Sequence, residues 1–132
     1  MKRKAKILIV DDDADFVEST RIILESKPYD VIVAVNGDEG LRKAEEEKPD
    51  LILLDVIMPV KDGFTAAEQL KKDPKLAKIP VLMLTSFSTM GSGTEIPRGK
   101  GFSLEAEDYI EKPVSPENLL ATVEKHLKKV GL

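Results

Sequence analysis

The sequence of 132 residues contains no cysteine and no tryptophan, and it has a single histidine. Without cysteine the chain can form neither disulfide bonds nor thiolate zinc sites, and it has no cysteine nucleophile. This composition is compatible with a reducing compartment, and we expect a cytoplasmic protein. Because only 5% of the residues are aromatic, the chain also offers no stacking platform for single-stranded nucleic acid.

The sequence also lacks a long apolar run and an excess of positive charge. Its longest apolar runs, Val31–Val35 among them, are far shorter than the roughly 20 residues that a membrane-spanning helix needs. The 24 Asp and Glu residues outnumber the 20 Lys and Arg residues, which gives a net charge of −4. We therefore expect neither membrane insertion nor direct nucleic-acid binding.

The length of the chain is sufficient for one domain with one packed core, which we place at residues 1–132. Residues 1–5 predict a solvated basic tail, because the apolar stretch that follows them ends in aspartates and is too short for a signal peptide. No output domain is visible after the last predicted helix. We expect the chain to act alone, to act in trans, or to be a fragment of a longer protein.

Four short apolar runs rich in Ile, Val and Leu recur without alternating polar residues, a pattern typical of strands buried on both faces of a parallel sheet. The runs are Ile7–Val10, Val31–Val35, Leu51–Leu54 and Val81–Leu84. Helical periodicity lies between them, and a shorter fifth strand is predicted around Tyr109 and Ile110. The pattern predicts a doubly wound α/β sandwich of five βα units.

Several residues mark the helices of this sandwich. For Asp13 and Asp15, after the first strand, a turn or helix N-cap is the favoured role. Ser115 is the expected N-cap of the last helix, with Pro116 at its first position. His126 lies beside the apolar stripe of that helix, which predicts a surface residue rather than a phosphodonor or a metal ligand.

Residues 86–108 depart from the regular pattern. They hold half of the chain's 8 glycines, together with Pro97 and several Ser and Thr residues. This Gly/Ser-rich composition predicts a long loop, or a fourth helix that is shortened or irregular. We expect Gly91 to Gly101 to be non-helical and poorly ordered.

Polar residues stand at the ends of the predicted strands. Asp11 and Asp12 follow the first strand, Asp55 the third and Thr85 the fourth, and Lys112 lies just beyond the fifth. Because ligands of open α/β sheets bind outside the carboxyl ends of the strands, we expect these side chains to share one rim. Two like charges ~4 Å apart repel by about 4 kcal/mol at an effective dielectric near 20, so the carboxylates require a cation.

The chemistry of this rim is suited to a phosphoryl group. Hard oxygen ligands without His or Cys select Mg²⁺ or Mn²⁺, and Lys112 supplies a further positive charge. One carboxylate can act as the nucleophile, while the metal and Lys112 neutralise charge on the equatorial oxygens and Thr85 donates a hydrogen bond.

In combination, five motifs resemble the response-regulator receiver domain of two-component signalling, the CheY-like family, over nearly the whole chain. The motifs are Ile7-Leu8-Ile9-Val10-Asp11-Asp12-Asp13, Pro49-Asp50-Leu51-Ile52-Leu53-Leu54-Asp55, Met58-Pro59 with Asp62-Gly63, Ile79-Pro80-Val81 leading to Thr85, and Asp108-Tyr109-Ile110 with Lys112-Pro113. The resemblance implies a (βα)5 fold with strand order 2-1-3-4-5. It also implies a phosphoacceptor switch of a phosphorelay.

The resemblance implies a role for each residue of the phosphorylation site. Asp55 accepts the phosphoryl group from a sensor histidine kinase or phosphotransfer protein. Asp11 and Asp12 hold Mg²⁺ together with Asp55 and the backbone carbonyl of Ile57. Lys112 contacts the phosphoryl group. The resemblance does not identify the downstream protein.

The resemblance also implies a switch and a control of its lifetime. Thr85 and Tyr109 form the switch pair, and the peptide bond before Pro113 is cis. Ile57 and Phe87 flank the path of the water that hydrolyses the acyl phosphate. Because neither side chain can orient a water molecule and both are bulky, we expect phospho-Asp55 to be long-lived.

Three other functions compete with the phosphoacceptor switch. A Mg²⁺-dependent aspartyl phosphatase also uses a strand-end nucleophile, but its paired acids lie two positions apart, and Asp11-x-Asp13 here lacks the expected continuation. A phosphate-independent interaction module would not need the intact polar set at the rim. A nucleotide-binding flavodoxin-like or Rossmann protein is excluded because the first strand runs into acids where a phosphate-cradling turn needs glycines or hydroxyls. We therefore expect no turnover enzyme on an external substrate, but a protein that catalyses its own phosphorylation and dephosphorylation.

Overall fold

The computed structural model describes residues 4–56, 63–85, 108–112 and 114–131. Strands and helices alternate along the first part of the chain, as the apolar runs and helical periodicity predict. The strands are β1 (Ala5–Val10), β2 (Tyr29–Ala34), β3 (Leu51–Asp55), β4 (Val81–Thr85) and β5 (Asp108–Glu111). The helices are α1 (Ala14–Glu25), α2 (Gly37–Glu47), α3 (Gly63–Lys72) and α4 (Pro116–Lys129).

The five strands form one parallel sheet in the order β2-β1-β3-β4-β5. This order confirms the predicted fold class and topology. The strand order reverses between β1 and β3, which lie side by side. In the register of this pair, Val10 lies opposite Leu54. Asp11 and Asp55 therefore leave the sheet at the same level, at the point where open α/β sheets bind ligands.

Helices cover both faces of the sheet and bury a separate apolar cluster on each. The α2–α3 core includes Ala44 and Leu70, and the α1–α4 core includes Leu24 and Val123. All residues of the central strands β3 and β4 are buried. Burial on both faces explains why these strands are continuous apolar runs instead of alternating patterns.

Several predicted strand boundaries differ from the structure, those at Ala5 and Val35 among them. Ala5, assigned to a basic tail of residues 1–5, is the first residue of β1 and is 6% exposed, because it pairs with Tyr29 of β2. Val35, assigned to the second strand, follows the end of β2 and is 53% exposed. Apolar character alone does not show where a neighbouring strand stops.

The predicted helix starts are confirmed. Asp13 is the N-cap of α1, and its Oδ1 accepts hydrogen bonds from the backbone N–H groups of Asp15 (3.0 Å) and Phe16 (3.2 Å). Ser115 is the N-cap of α4, with Pro116 at the first helical position. Capping satisfies backbone donors that have no partner within the helix, which fixes where both helices begin.

The prediction that His126 is a surface residue is wrong. Its side chain is 2% exposed, and Nε2 lies 3.0 Å from Oδ2 of Asp108 at the start of β5. His126 follows Val123 by three positions and precedes Leu127, so it shares the buried face of α4. Burial raises the pKa of the Asp108 carboxyl, but hydrogen bonds from His126 and from the Tyr109 N–H outweigh it, and the pKa is lowered overall.

Several predictions concern residues outside the described ranges. The irregular segment expected at 86–108 belongs to this group except for Asp108, which is the first residue of β5 and not part of a loop. The cis bond before Pro113 and the side chains of Ile57 and Phe87 belong to it as well. They stay predictions from the sequence. Among the helices of the described residues, none has both the length and the apolar character needed to cross a membrane.

Candidate functional site

The carboxyl ends of β1 and β3 place two buried carboxylates side by side. Asp11 is 1% exposed and Asp55 is 7% exposed. The ladder hydrogen bonds continue past the strands: the N–H of Asp11 donates to the carbonyl of Ala34 (3.0 Å), and that of Val56 donates to the carbonyl of Leu84 (3.1 Å). The backbone on which both carboxylates are mounted is therefore fixed by neighbouring strands.

A third carboxylate joins them, as the sequence predicted. Asp11, Asp12 and Asp55 each offer an oxygen atom, and these atoms all lie within 4.8 Å of one another. Asp12 is exposed, whereas the other two are buried. Oδ1 of Asp11 also accepts a hydrogen bond from the N–H of Asp13 (2.9 Å), which holds the turn into α1. The arrangement can hold a hard divalent cation through oxygen ligands.

Lys112 brings an ammonium group to the same rim. Its backbone N–H donates to the carbonyl of Thr85 (2.6 Å). Its Nζ donates to Oδ2 of Asp11 (2.8 Å) and lies 3.5 Å from Oδ1 of Asp55, and its side chain is 19% exposed. Burial lowers the pKa of Lys112, but the interactions with Asp11 and Asp55 more than offset this and leave the pKa raised. The ammonium of Lys112 is therefore fixed by two carboxylates, and it neutralises only part of their charge together with that of Asp12.

Thr85 ends β4 beside these charges. It is 1% exposed, and its Oγ1 has no hydrogen-bond partner among the residues that the structure describes. Leaving a buried polar group unsatisfied costs about 1–3 kcal/mol, so such a group calls for an explanation. Because β4 pairs with β3, Thr85 ends its strand beside the strand that ends in Asp55.

Tyr109 lies close to Thr85 in the sheet. Met83 of β4 pairs with Tyr109 of β5, and Thr85 pairs with Glu111. Because residues two apart on a strand point to the same face, Thr85 and Tyr109 are diagonal neighbours on one face of the sheet. Tyr109 is half-buried and packs against the α2–α3 core. The structure thus brings the two predicted switch residues together.

Phe16 belongs to the site, although it lies outside the motifs that predicted the other site residues. Nζ of Lys112 lies 4.2 Å from the centroid of the Phe16 ring. An aromatic residue one helical turn after an acidic N-cap is a signal that this contact can occur. The sequence alone does not show that the ring reaches a lysine that is 96 positions away.

The chain matches a known protein family over most of its length. The family model for the response regulator receiver domain matches residues 7–124. The chain is 42% identical over 124 residues to the alkaline phosphatase synthesis transcriptional regulatory protein PhoP of Bacillus subtilis, covering 94% of this chain and 49% of that protein. It spans about half the length of several curated relatives that it matches.

Solved structures show the same relationship. The receiver domain of a signal transduction histidine kinase from Syntrophus aciditrophicus is 36% identical with a TM-score of 0.82, covering 96% of this chain and 92% of that chain. The receiver domain of a sensor histidine kinase from Pseudomonas aeruginosa, with a magnesium ion coordinated in the active-site cleft, is 25% identical with a TM-score of 0.83, covering 95% and 98%. The chain therefore belongs to the response regulator receiver domain family, the phosphoacceptor switches of two-component signalling.

Proposed function

We propose that Asp55 is the phosphoacceptor of this switch, and that it receives a phosphoryl group from a phosphohistidine of a sensor histidine kinase or phosphotransfer protein. The observation that carries the proposal is the position of β3 in the sheet, between β1 and β4. Asp55 at its end has carboxylates from the β1 side and Thr85 and Lys112 from the other side. Of the three carboxylates, Asp55 is the one that stands between the acids after β1 and the polar groups of Thr85 and Lys112.

The contacts of the neighbouring acids support this choice. Both carboxylate oxygens of Asp11 accept hydrogen bonds, from the N–H of Asp13 at 2.9 Å and from Lys112 at 2.8 Å. Asp12 is exposed. These interactions suit Asp11 and Asp12 to positioning and charge balance, and they favour Asp55 as the nucleophile.

In the proposed transfer, an oxygen atom of Asp55 forms a bond to phosphorus while the phosphorus–nitrogen bond of the donor breaks. The electron pair of that bond leaves with the imidazole, which gains a proton. Negative charge spreads over the three equatorial oxygens, where the ammonium of Lys112 and the hydroxyl of Thr85 stabilise it. The product is an acyl phosphate on Asp55.

The carboxylates of Asp11, Asp12 and Asp55, with the backbone carbonyl of Ile57, would hold Mg²⁺ or Mn²⁺. The fit rests on three oxygen donors whose ligand atoms lie within 4.8 Å of one another and on the preference of hard cations for such donors. When bound, the cation supplies positive charge that offsets the clustered carboxylates and the transferring phosphoryl group.

Phosphorylation changes the charge at this rim and thereby drives the switch. A phosphoryl group adds about −1.5 to −2 charge and three strong acceptor oxygens. The hydroxyl of Thr85, which has no hydrogen-bond partner among the described residues, is a donor for one of them, and Tyr109 is its diagonal neighbour. A rearrangement of this pair alters the surface around β5, where a downstream protein reads the signal.

The environment of Asp13 weighs against a phosphatase acting on an external substrate. Asp13 is the second acid of the Asp11-x-Asp13 pair that such an enzyme would use. Its Oδ1 accepts hydrogen bonds from two N–H groups at the start of α1. This supports a helix cap, and a chain that catalyses only its own phosphorylation and dephosphorylation.

The test is to incubate the purified chain with acetyl phosphate and Mg²⁺ and to measure its mass. We expect one added phosphoryl group on the wild type and none on Asp55→Asn. Asp30→Asn is the matched control, because Asp30 is an exposed carboxylate whose partner is Lys4 at 3.6 Å. Labelling of Asp55→Asn at the wild-type level contradicts the assignment and favours a phosphatase with a different nucleophile.

A further inference from the structure

An aromatic ring covers the ammonium of Lys112 on the side of α1. Nζ lies 4.2 Å from the ring centroid of Phe16, well inside the roughly 6 Å within which a cation is attracted to the face of a ring. Phe16 is half-buried and packs against the α1–α4 core. We propose that Phe16 is a positioning residue, which holds the Lys112 ammonium in place for phosphoryl transfer to Asp55.

The start of α1, which carries the ring, is tied through Asp13 to Asp11, one of the two acids that contact Lys112. Asp13 caps α1 and accepts a hydrogen bond from the N–H of Phe16. Asp13 in turn donates its own N–H to Oδ1 of Asp11, whose Oδ2 accepts from Lys112. The contacts form a closed circuit through Asp11, Asp13, Phe16 and Lys112. The backbone that carries the ring is therefore tied to Asp11 through Asp13.

Lys112 needs such a constraint because of its side chain. A lysine ammonium is a compact point charge on a flexible four-carbon stem. The hydrogen bond to the Thr85 carbonyl fixes the Lys112 backbone but not the torsions that place Nζ. Asp11 and Asp55 attract the ammonium, and the ring covers it on the side of α1.

The ring holds the ammonium without neutralising it. A third carboxylate at the same distance would compete with the phosphoryl oxygens for the lysine. The face of an aromatic ring attracts a cation weakly and carries no net charge. Lys112 thus keeps its full charge for the transfer. This role rests on the proposed function, whereas the contact between ring and ammonium does not.

The kinetic test compares Phe16→Leu, which keeps an apolar side chain, with Phe16→Tyr, which keeps an aromatic face. With acetyl phosphate and saturating Mg²⁺, we expect Phe16→Leu to lower the maximal phosphorylation rate about three- to tenfold, with the donor concentration for half-maximal rate little changed. We expect Phe16→Tyr to react at close to the wild-type rate. Thermal unfolding of each variant shows whether the fold is retained.

Two further measurements separate positioning from packing. In NMR spectra, the ε-methylene protons of Lys112 should show an upfield ring-current shift in the wild type and in Phe16→Tyr, and should lose it in Phe16→Leu. In a Lys112→Met background, Phe16→Leu should cause no further loss of rate. A loss caused by altered packing would persist without the lysine.

The outcomes distinguish this role from the proposed function. A wild-type chain labelled at Asp55, with an unchanged rate in Phe16→Leu, contradicts the role of Phe16 alone. The same conclusion follows if the loss of rate persists in the Lys112→Met background, or if the ring-current shift is absent from the wild type. A wild-type chain that is not labelled at Asp55 contradicts the proposed function and this role with it.

Discussion

At the scale of single residues, charge dominates the rim of the sheet. Three carboxylates approach within 4.8 Å of one another, and one ammonium pairs with two of them. Only the folded chain brings these carboxylates together, because Asp11 and Asp55 are far apart in the sequence. A cation that binds this cluster therefore stabilises the folded chain over the unfolded one.

We predict that Mg²⁺ raises the melting temperature, and that the increase is smaller in Asp12→Ala. A ligand at 100 times its dissociation constant stabilises a native protein by about 2.7 kcal/mol. Thermal unfolding with increasing MgCl₂ measures the effect. Asp30→Asn, an exposed acid outside the cluster, should respond as the wild type does. An equal response of wild type and Asp12→Ala would place the metal elsewhere.

A second prediction at this scale concerns the lifetime of the acyl phosphate. Ile57 and Phe87 stand two positions beyond Asp55 and Thr85, and apolar side chains there cannot orient a water molecule. Ile57→Asn combined with Phe87→Glu should raise the autodephosphorylation rate about tenfold, which corresponds to about 1.4 kcal/mol of barrier. The decay of labelled protein gives the rate. Unchanged decay in the double variant would show that these side chains do not control water access.

The residues of the rim were predictable from the sequence, whereas the contact of Phe16 was not. Asp11, Asp55 and Thr85 end strands, and a parallel sheet brings strand ends to one edge whatever the side-chain details. The contact between Phe16 and Lys112 depends on the exact start of α1 and on the torsions of a long side chain. No local sequence pattern encodes either of these.

At the scale of elements, His126 links α4 to the start of β5. Its Nε2 lies 3.0 Å from Asp108, whose side chain is 35% exposed, and Lys125 lies 4.0 Å from the same carboxylate oxygen. Hydrogen bonds from His126 and the Tyr109 N–H lower the pKa of Asp108 against the effect of its burial. The ionised form of Asp108 is therefore the form that favours the fold.

We predict that Asp108→Asn destabilises the protein at neutral pH but not at strongly acidic pH. A lowered pKa in the folded chain gives stability that is present above the usual value of 3.8 and is lost as the pH falls through the folded-state value. Allowing for solvent exposure, we expect a loss of about 0.5–1 kcal/mol at pH 7. Urea unfolding at pH 7 and below pH 3.8 measures both differences. A difference that does not change with pH would contradict the assignment.

A close approach of α2 to β1 supports another prediction. A Cβ atom at Gly40 would lie 2.9 Å from both γ-carbons of Val10, which is a stiff β-branched side chain. Overpacking lowers the free energy of unfolding by about 1–3 kcal/mol, whereas replacing Gly by Ala within a helix raises it by about 1 kcal/mol. Gly40→Ala should therefore destabilise the fold by up to about 2 kcal/mol in urea unfolding.

The same substitution should weaken the response to Mg²⁺, because Val10 immediately precedes Asp11. Glu46→Ala is the control, since Glu46 is exposed on the same helix. It should keep both the stability and the Mg²⁺ response. A Gly40→Ala protein as stable as the wild type would show that α2 can shift away from β1 without cost.

Element order was predictable, but several element faces and ends were not. Strands buried on both faces leave continuous apolar runs, and helix caps such as Asp13 and Ser115 leave clear start signals. The burial of His126 depends on its pairing with Asp108, which a hydropathy pattern does not contain. The exposure of Val35 depends on where β2 ends relative to its neighbour.

At the scale of the whole molecule, the predicted sandwich is confirmed by one five-stranded parallel sheet with an apolar core on each face. Apolar runs without alternation require cover on both faces, and the four helices of the described residues provide it with the α1–α4 and α2–α3 cores. The strand order came from the resemblance and not from periodicity. The irregular segment expected at 86–108 has no apolar repeat that predicts a packed element, so its conformation does not follow from the sequence pattern.

The place of β5 in the sheet has a mechanical consequence for signalling. Among the described strands, β5 pairs only with β4, so it is an edge strand with a single ladder. It carries Tyr109, and Lys112 follows it on the same backbone, hydrogen-bonded to Thr85. An edge can slide while the central strands keep both of their ladders. If phosphorylation favours a displaced position of β5 and a partner binds β5 in that position, the two equilibria are linked. Binding of the partner then favours the phosphorylated form by the same factor by which phosphorylation favours binding of the partner.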